Sequence, residues 1–177
     1  MSDQFIPLVD LKVQYVSLKP QLEEAVIAVM DRGDFILGKN VGLFEQQFAE
    51  FLEVDYAVGC GSGTDAIVLA LRALEIGAGD EVIVPAYTFI ATALAPLTTG
   101  ADIVFVDMGP KTFCITPEEL EAAVTPLTKA VIPVHFAGHL ADVEGLQVVA
   151  KKHGLKLVWD TAHAHTTEWR GKKVGGL

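Results

Sequence analysis

The sequence predicts an α/β fold: a three-layer α/β/α domain around a mostly parallel sheet. Three observations point to it. Five short apolar runs, at residues 56–60, 81–85, 102–107, 129–134 and 156–160, are rich in Val or Ile and bounded by Gly, Pro or Asp. They show little polar–apolar alternation, the mark of strands covered on both faces. Helix-length segments lie between them, and alternating strands and helices imply right-handed crossovers onto a parallel sheet.

Residues 1–50 have a different pattern and are predicted as an N-terminal helical segment, with the α/β domain over 51–177. In that segment, 18–30 and 42–52 have the spacing of two amphipathic helices joined by 31–38. A helix over 65–76 carries Ile67, Leu69, Ala70, Leu71 and Leu74 at helical spacing. A helix over 116–124 opens with Thr116-Pro117-Glu118-Glu119: a cap, a proline at the first position, and acids in the first turn. A third, over 141–153, follows a Gly-containing turn. Residues 166–174 form a polar hairpin or extended stretch, and the chain then stops at Gly175-Gly176-Leu177. A natural end and a truncation both fit, and truncation better explains the missing closing helix.

Composition narrows the function classes. With 13 basic against 23 acidic residues the formal charge is −10, which argues against nucleic acid as a partner. A phosphorylated small molecule stays open, because a local site can be positive in an acidic protein. The two cysteines, Cys60 and Cys114, lack metal-ligand or CxxC spacing, so no metal site is expected and both are expected to be buried or partly buried thiols. Residues 1–9 carry no leader pattern and no run reaches membrane-spanning length, so a cytoplasmic protein without a membrane partner is expected.

Three places carry possible chemistry. Gly59-Cys60-Gly61-Ser62-Gly63-Thr64-Asp65 joins a predicted strand to a predicted helix. Backbone N–H groups and hydroxyls there suit a phosphate, although the same residues also make an ordinary capped turn. It is not a P-loop, because no Lys follows, and Thr64 replaces the third glycine of a dinucleotide fingerprint. Asp160 ends a very apolar strand, where ligands of open α/β sheets bind. It suits a protonated heterocyclic nitrogen, or it caps the next turn. Phe89, just after another strand, suits stacking on a flat ring, or it belongs to the core. One cofactor would use all three: pyridoxal 5'-phosphate (PLP), with its phosphate, flat ring and pyridine nitrogen. The covalent link of PLP needs a lysine. After Asp160 there are only Lys172 and Lys173, which read as solvated surface.

These residues resemble the DegT/DnrJ-type sugar-nucleotide aminotransferases of the PLP-dependent aspartate aminotransferase superfamily (fold type I). The resemblance runs through Ile6-Pro7-Leu8-Val9-Asp10-Leu11, Gly33-Asp34-Phe35-Ile36-Leu37-Gly38 and Gly61-Ser62-Gly63-Thr64-Asp65-Ala66. It continues through Gly79-Asp80-Glu81 to Thr88-Phe89-Ile90-Ala91-Thr92, then Ile132-Pro133-Val134-His135 and Asp160-Thr161-Ala162-His163-Ala164-His165. It implies the large PLP-binding domain, truncated, with PLP phosphate at Gly63, Thr64 and the backbone of Asp65. It also implies Phe89 stacked on the ring, Asp160 on the pyridinium nitrogen and His163 near the ring hydroxyl. The Schiff-base lysine and small domain would follow residue 177, so no catalytic residue falls within the chain. The full-length enzyme would be a homodimer that moves an amino group, by a ping-pong route, from an amino acid such as glutamate to a nucleoside-diphosphate keto sugar. Deoxyamino-sugar or polysaccharide biosynthesis is the implied setting. A PLP-dependent sugar dehydratase, with His for the lysine, and a non-catalytic regulatory relative are the alternatives. The resemblance further implies that 56–60 pairs with none of the other four strands, and that 81–85 lies between 102–107 and 129–134 with 156–160 beyond.

Overall fold

The computed structural model describes residues 6–177; residues 1–5, the start of the stretch read for a leader pattern, lie outside the described residues. The backbone groups into two compact units, one ending at Phe44 and the other spanning Glu45–Leu177.

The first unit is dominated by α1 (Leu11–Arg32), with α2 (Lys39–Leu52) beginning near its end. Helix α1 starts seven residues before the predicted 18–30, because Asp10 caps it: its carboxylate accepts from Lys12 N at 3.1 Å and Val13 N at 3.2 Å. Pro20 then sits inside the helix, not at its start. Gly33, at φ 68°, closes it in the left-handed conformation that glycine adopts without strain. In the following loop Arg32 and the Lys39 N–H bind Asp34, each at 3.2 Å, and hold its carboxyl below the usual carboxylate range. Gly38 is obligatory here, since a Cβ would stand 2.1 Å from the Asp34 carbonyl oxygen.

The second unit is the α/β domain. Its helices and strands run α3 (Gly63–Ala73), β1 (Glu81–Pro85), α4 (Ala91–Thr99), β2 (Asp102–Val106), α5 (Pro117–Ala123), β3 (Thr128–Val131), α6 (Val143–His153) and β4 (Lys156–Leu157). The four strands are parallel in the order β2-β1-β3-β4, as the family resemblance implies. Side chains of β1 and β3 alternate between two helical layers. Ile83 and Val131 pack with Leu120, Leu146, Val149 and Ala150 of α5 and α6. Val82, Val84, Ala130 and Ile132 pack with Ile67, Leu71 and Ala95 of α3 and α4. Burial of both strand faces explains why these strands read as unbroken apolar runs. A short hairpin, β5 (Glu168–Trp169) with β6 (Lys172–Lys173), and a single 3-10 turn at Val174–Gly176 close the described chain.

Several expectations need correction. Residues 56–60 form no strand, and Tyr56 and Val58 are exposed. A strand exists only through its ladder, and none of the described strands pairs with them. Cys60 is therefore exposed, while Cys114 is buried as expected. Strand β3 stops at Val131 because Pro133 has no N–H to donate; one bridge, Val134 to Asp160, continues the pairing. Strand β2 is an edge, with Phe105 exposed. Helix α4 was not foreseen. It lacks a side-chain cap at Ile90 and contains Pro96, so both its start signal and its periodicity are weak. Lys172 is exposed, but Lys173 is only partly so: it lies 4.8 Å over the Phe51 ring and 3.8 Å from Glu53.

Leu71 is fully buried between α3 and the sheet, whereas Leu69 on the same helix is 51% exposed. Leu71→Ala should cost about 3 kcal/mol in urea unfolding, from lost burial plus the cavity left behind. Leu69→Ala should cost less than about 1 kcal/mol.

Candidate cofactor site

The candidate site lies beyond the carboxyl ends of the strands. It is a cavity of about 250 Å³ lined by Ser62, Gly63, Thr64, Phe89, Asp160 and His163 among others. Of the residues singled out in the sequence, Gly63, Thr64, Phe89, Asp160 and His163 meet here, while Asp65 does not line the cavity.

One wall is the start of α3. Ser62 caps the helix: its Oγ accepts from Asp65 N at 3.1 Å and donates to the Asp65 carboxylate at 2.9 Å. The Asp65 N–H is thus already used. The N–H groups of Gly63 and Thr64 have no partner among the described residues. They are the orphan donors of a helix N-terminus, backed by the helix dipole, and so form an anion-binding pole.

A second, acidic pole is Asp160. Its backbone is locked to the preceding strand end, with Asp160 N donating to Pro133 O at 2.9 Å and His135 N donating to Asp160 O at 3.1 Å. Its carboxylate accepts from Ala162 N at 3.1 Å and from the Thr92 hydroxyl at 3.3 Å. Each carboxylate oxygen receives one protein donor and keeps lone pairs for another.

Phe89, 71% exposed, and His163 also line the cavity. The imidazole of His163 accepts at Nδ1 from Ala137 N at 3.2 Å and meets Phe136 edge-on, with ring centroids 5.8 Å apart. A neutral ring that accepts at Nδ1 carries its proton on Nε2, so His163 can offer a donor. Behind the site, His135 is fully buried and stacks on Trp159 at 5.1 Å. Its Nδ1 accepts from Ala141 N at 3.1 Å, and its buried Nε2 has no partner. Burial pushes the His135 pKa down, and the Asp160 charge only partly opposes this.

A family model described as the DegT/DnrJ/EryC1/StrS aminotransferase family matches residues 16–177. The chain belongs to this family. One relative, the UDP-N-acetyl-3-dehydro-alpha-D-glucosamine 3-aminotransferase of Acidithiobacillus ferrooxidans, is 47% identical over 172 residues, or 97% of this chain and 47% of the relative. The crystal structure of Streptomyces venezuelae DesV in complex with a ketimine intermediate matches with a TM-score of 0.94 at 44% identity, over 97% of this chain and 46% of its own. NtdA of Bacillus subtilis, solved with bound PMP, matches with a TM-score of 0.83 at 34% identity, over 93% of this chain and 39% of its own. The chain spans about half the length of the curated relative it matches. The fold is that of the PLP-dependent aminotransferases.

Within this DegT/DnrJ/EryC1/StrS chain, three contributors to the site were missed in the sequence. Thr92 and the N–H groups of Ala162 and Ala137 hold Asp160 and His163. Backbone donors leave no sequence signal, and Thr92 stands in the unforeseen α4.

The buried His135 makes stability pH-dependent in a definite direction. Unfolded, it takes up a proton near its ordinary pKa of 6.5; folded, it resists. The unfolded state therefore binds more protons below that pH, and stability falls as pH drops through the window. In an NMR titration His135 should take up its proton at a lower pH than a free imidazole does.

Proposed function

We propose that this chain is the PLP-binding part of a longer aminotransferase acting on a nucleoside-diphosphate keto sugar, with PLP in the cavity at the strand ends. The observation that carries the reading is the presence of two unlike poles in the lining of one cavity. The N–H groups of Gly63 and Thr64, without partners among the described residues, and the carboxylate of Asp160 belong to residues that line the same cavity. A molecule with a phosphate at one end and a basic ring nitrogen at the other fits this donor set. The sugar-nucleotide aminotransferase among its relatives supports the substrate class.

In this reading Gly63 and Thr64 donate to the phosphate, and the Thr64 hydroxyl adds a further donor. Asp65 contributes through the cap it makes with Ser62, not through a free N–H. Asp160 holds a proton on the pyridine nitrogen. Phe89 covers a face of the ring and excludes water from it. His163 offers its Nε2–H to the ring hydroxyl. When bound, PLP supplies the electron sink and carries the amino group between donor and acceptor. In the longer protein the covalent link to PLP would need a lysine. Glutamate as amino donor, a homodimeric assembly and a role in deoxyamino-sugar or polysaccharide biosynthesis complete the proposal.

Three outcomes test it. In the longer protein Asp160→Asn should lower kcat by roughly a hundredfold or more, the scale of losing one preorganised charge at a reacting centre, with an unchanged circular dichroism spectrum. Turnover within a few-fold of wild type would rule out the role. Thr64→Ala should chiefly raise the PLP dissociation constant, because the backbone donors remain; unchanged affinity would count against the phosphate assignment. Residues 1–177 alone should form no borohydride-reducible PLP adduct at Lys172 or Lys173, since neither lysine lines the cavity.

A further inference from the structure

We propose that Thr92 is a positioning residue that sets the orientation of the Asp160 carboxylate through a directed hydroxyl chain from Thr88. The inference rests on the reading that the cavity takes PLP. Thr92 is fully buried in the first turn of α4. Its Oγ1 lies 3.3 Å from Asp160 Oδ2, as donor, and 3.2 Å from the hydroxyl of Thr88. A threonine hydroxyl has one proton. Thr92 gives it to the carboxylate, so the proton between the two threonines must come from Thr88. The chain therefore runs one way, from Thr88 through Thr92 to Asp160.

The rest of α4 shows that this arrangement is particular. Helical threonines commonly satisfy their hydroxyls on a carbonyl of the preceding turn. Thr98 does so with Leu94 O and Thr99 with Pro96 O, each at 2.8 Å. Thr92 instead reaches across 68 residues to a carboxylate at a strand end. With Ala162 N on the other oxygen, the carboxylate cannot turn without losing a hydrogen bond. Thr88 lines the cavity, and with its proton given to Thr92 its oxygen faces the ligand side only as an acceptor. This combination fixes the direction in which Asp160 presents its remaining lone pairs to the ring nitrogen.

The test uses the longer protein with PLP alone. Two readouts are needed: the dissociation constant of PLP after removal of the resident cofactor, and the ¹⁵N NMR shift of PLP labelled at the ring nitrogen. Thr92→Val keeps the shape and removes the hydroxyl. It should weaken PLP about tenfold or more, the size expected for a lost hydrogen bond to a charged group. It should also move the nitrogen signal toward the unprotonated value. Thr92→Ser should restore both, which a purely packing role would not predict. If the valine variant does not fold, Thr92→Ala serves in its place with the same expected loss. Affinity within twofold of wild type together with an unchanged nitrogen signal would overturn the inference while leaving the PLP reading intact. A wild-type protein that does not bind PLP would overturn both.

Discussion

The strand ends at residues 131–135 and 158–160 are joined by three main-chain hydrogen bonds. Val158 N donates to Val131 O at 3.1 Å, Asp160 N to Pro133 O at 2.9 Å, and His135 N to Asp160 O at 3.1 Å. These bonds hold one carboxylate at the rim of the sheet, and the remaining site is arranged around it. They are themselves held by the two cores, in which alternate residues of β1 and β3 are buried against α3 and α4 on one face and α5 and α6 on the other.

The electrostatic design reconciles an acidic protein with a phosphorylated ligand. The formal charge of −10 describes the surface as a whole. The anion-binding pole owes nothing to side-chain cations: it comes from the unpartnered N–H groups at the start of α3 and from the helix dipole. The acidic pole at Asp160 lines the same cavity. The two poles favour a ligand whose charges are separated in the same sense. Backbone donors also hold the polar side chains of the site: Ala137 N donates to Nδ1 of His163 and Ala162 N to the Asp160 carboxylate.

Much of this was legible in the residues. The Val- and Ile-rich runs marked β1 to β4 because those strands are buried on both faces, and Thr116-Pro117-Glu118-Glu119 marked the start of α5 through its cap. Of the six cofactor positions put forward, Gly63, Thr64, Phe89, Asp160 and His163 line one cavity. Asp65 is spent on the Ser62 cap because its N–H stands at the position a capping hydroxyl seeks. What stayed hidden has physical causes. Residues 56–60 have strand-like composition, but pairing depends on a neighbour that local sequence cannot supply. Helix α4 has neither a side-chain cap nor a clear polar face, and Thr92 was lost with it. The early start of α1 was obscured by Pro20, which resembles a helix beginning although Asp10 already provides one.

The most direct measurement is a crystal structure of the longer protein with PLP. The account predicts the phosphate on the N–H groups of Gly63 and Thr64, the ring nitrogen at the Asp160 carboxylate, and the Thr92 hydroxyl still bonded to that carboxylate. A cofactor bound elsewhere, or reversed so that its phosphate faces Asp160, would contradict it.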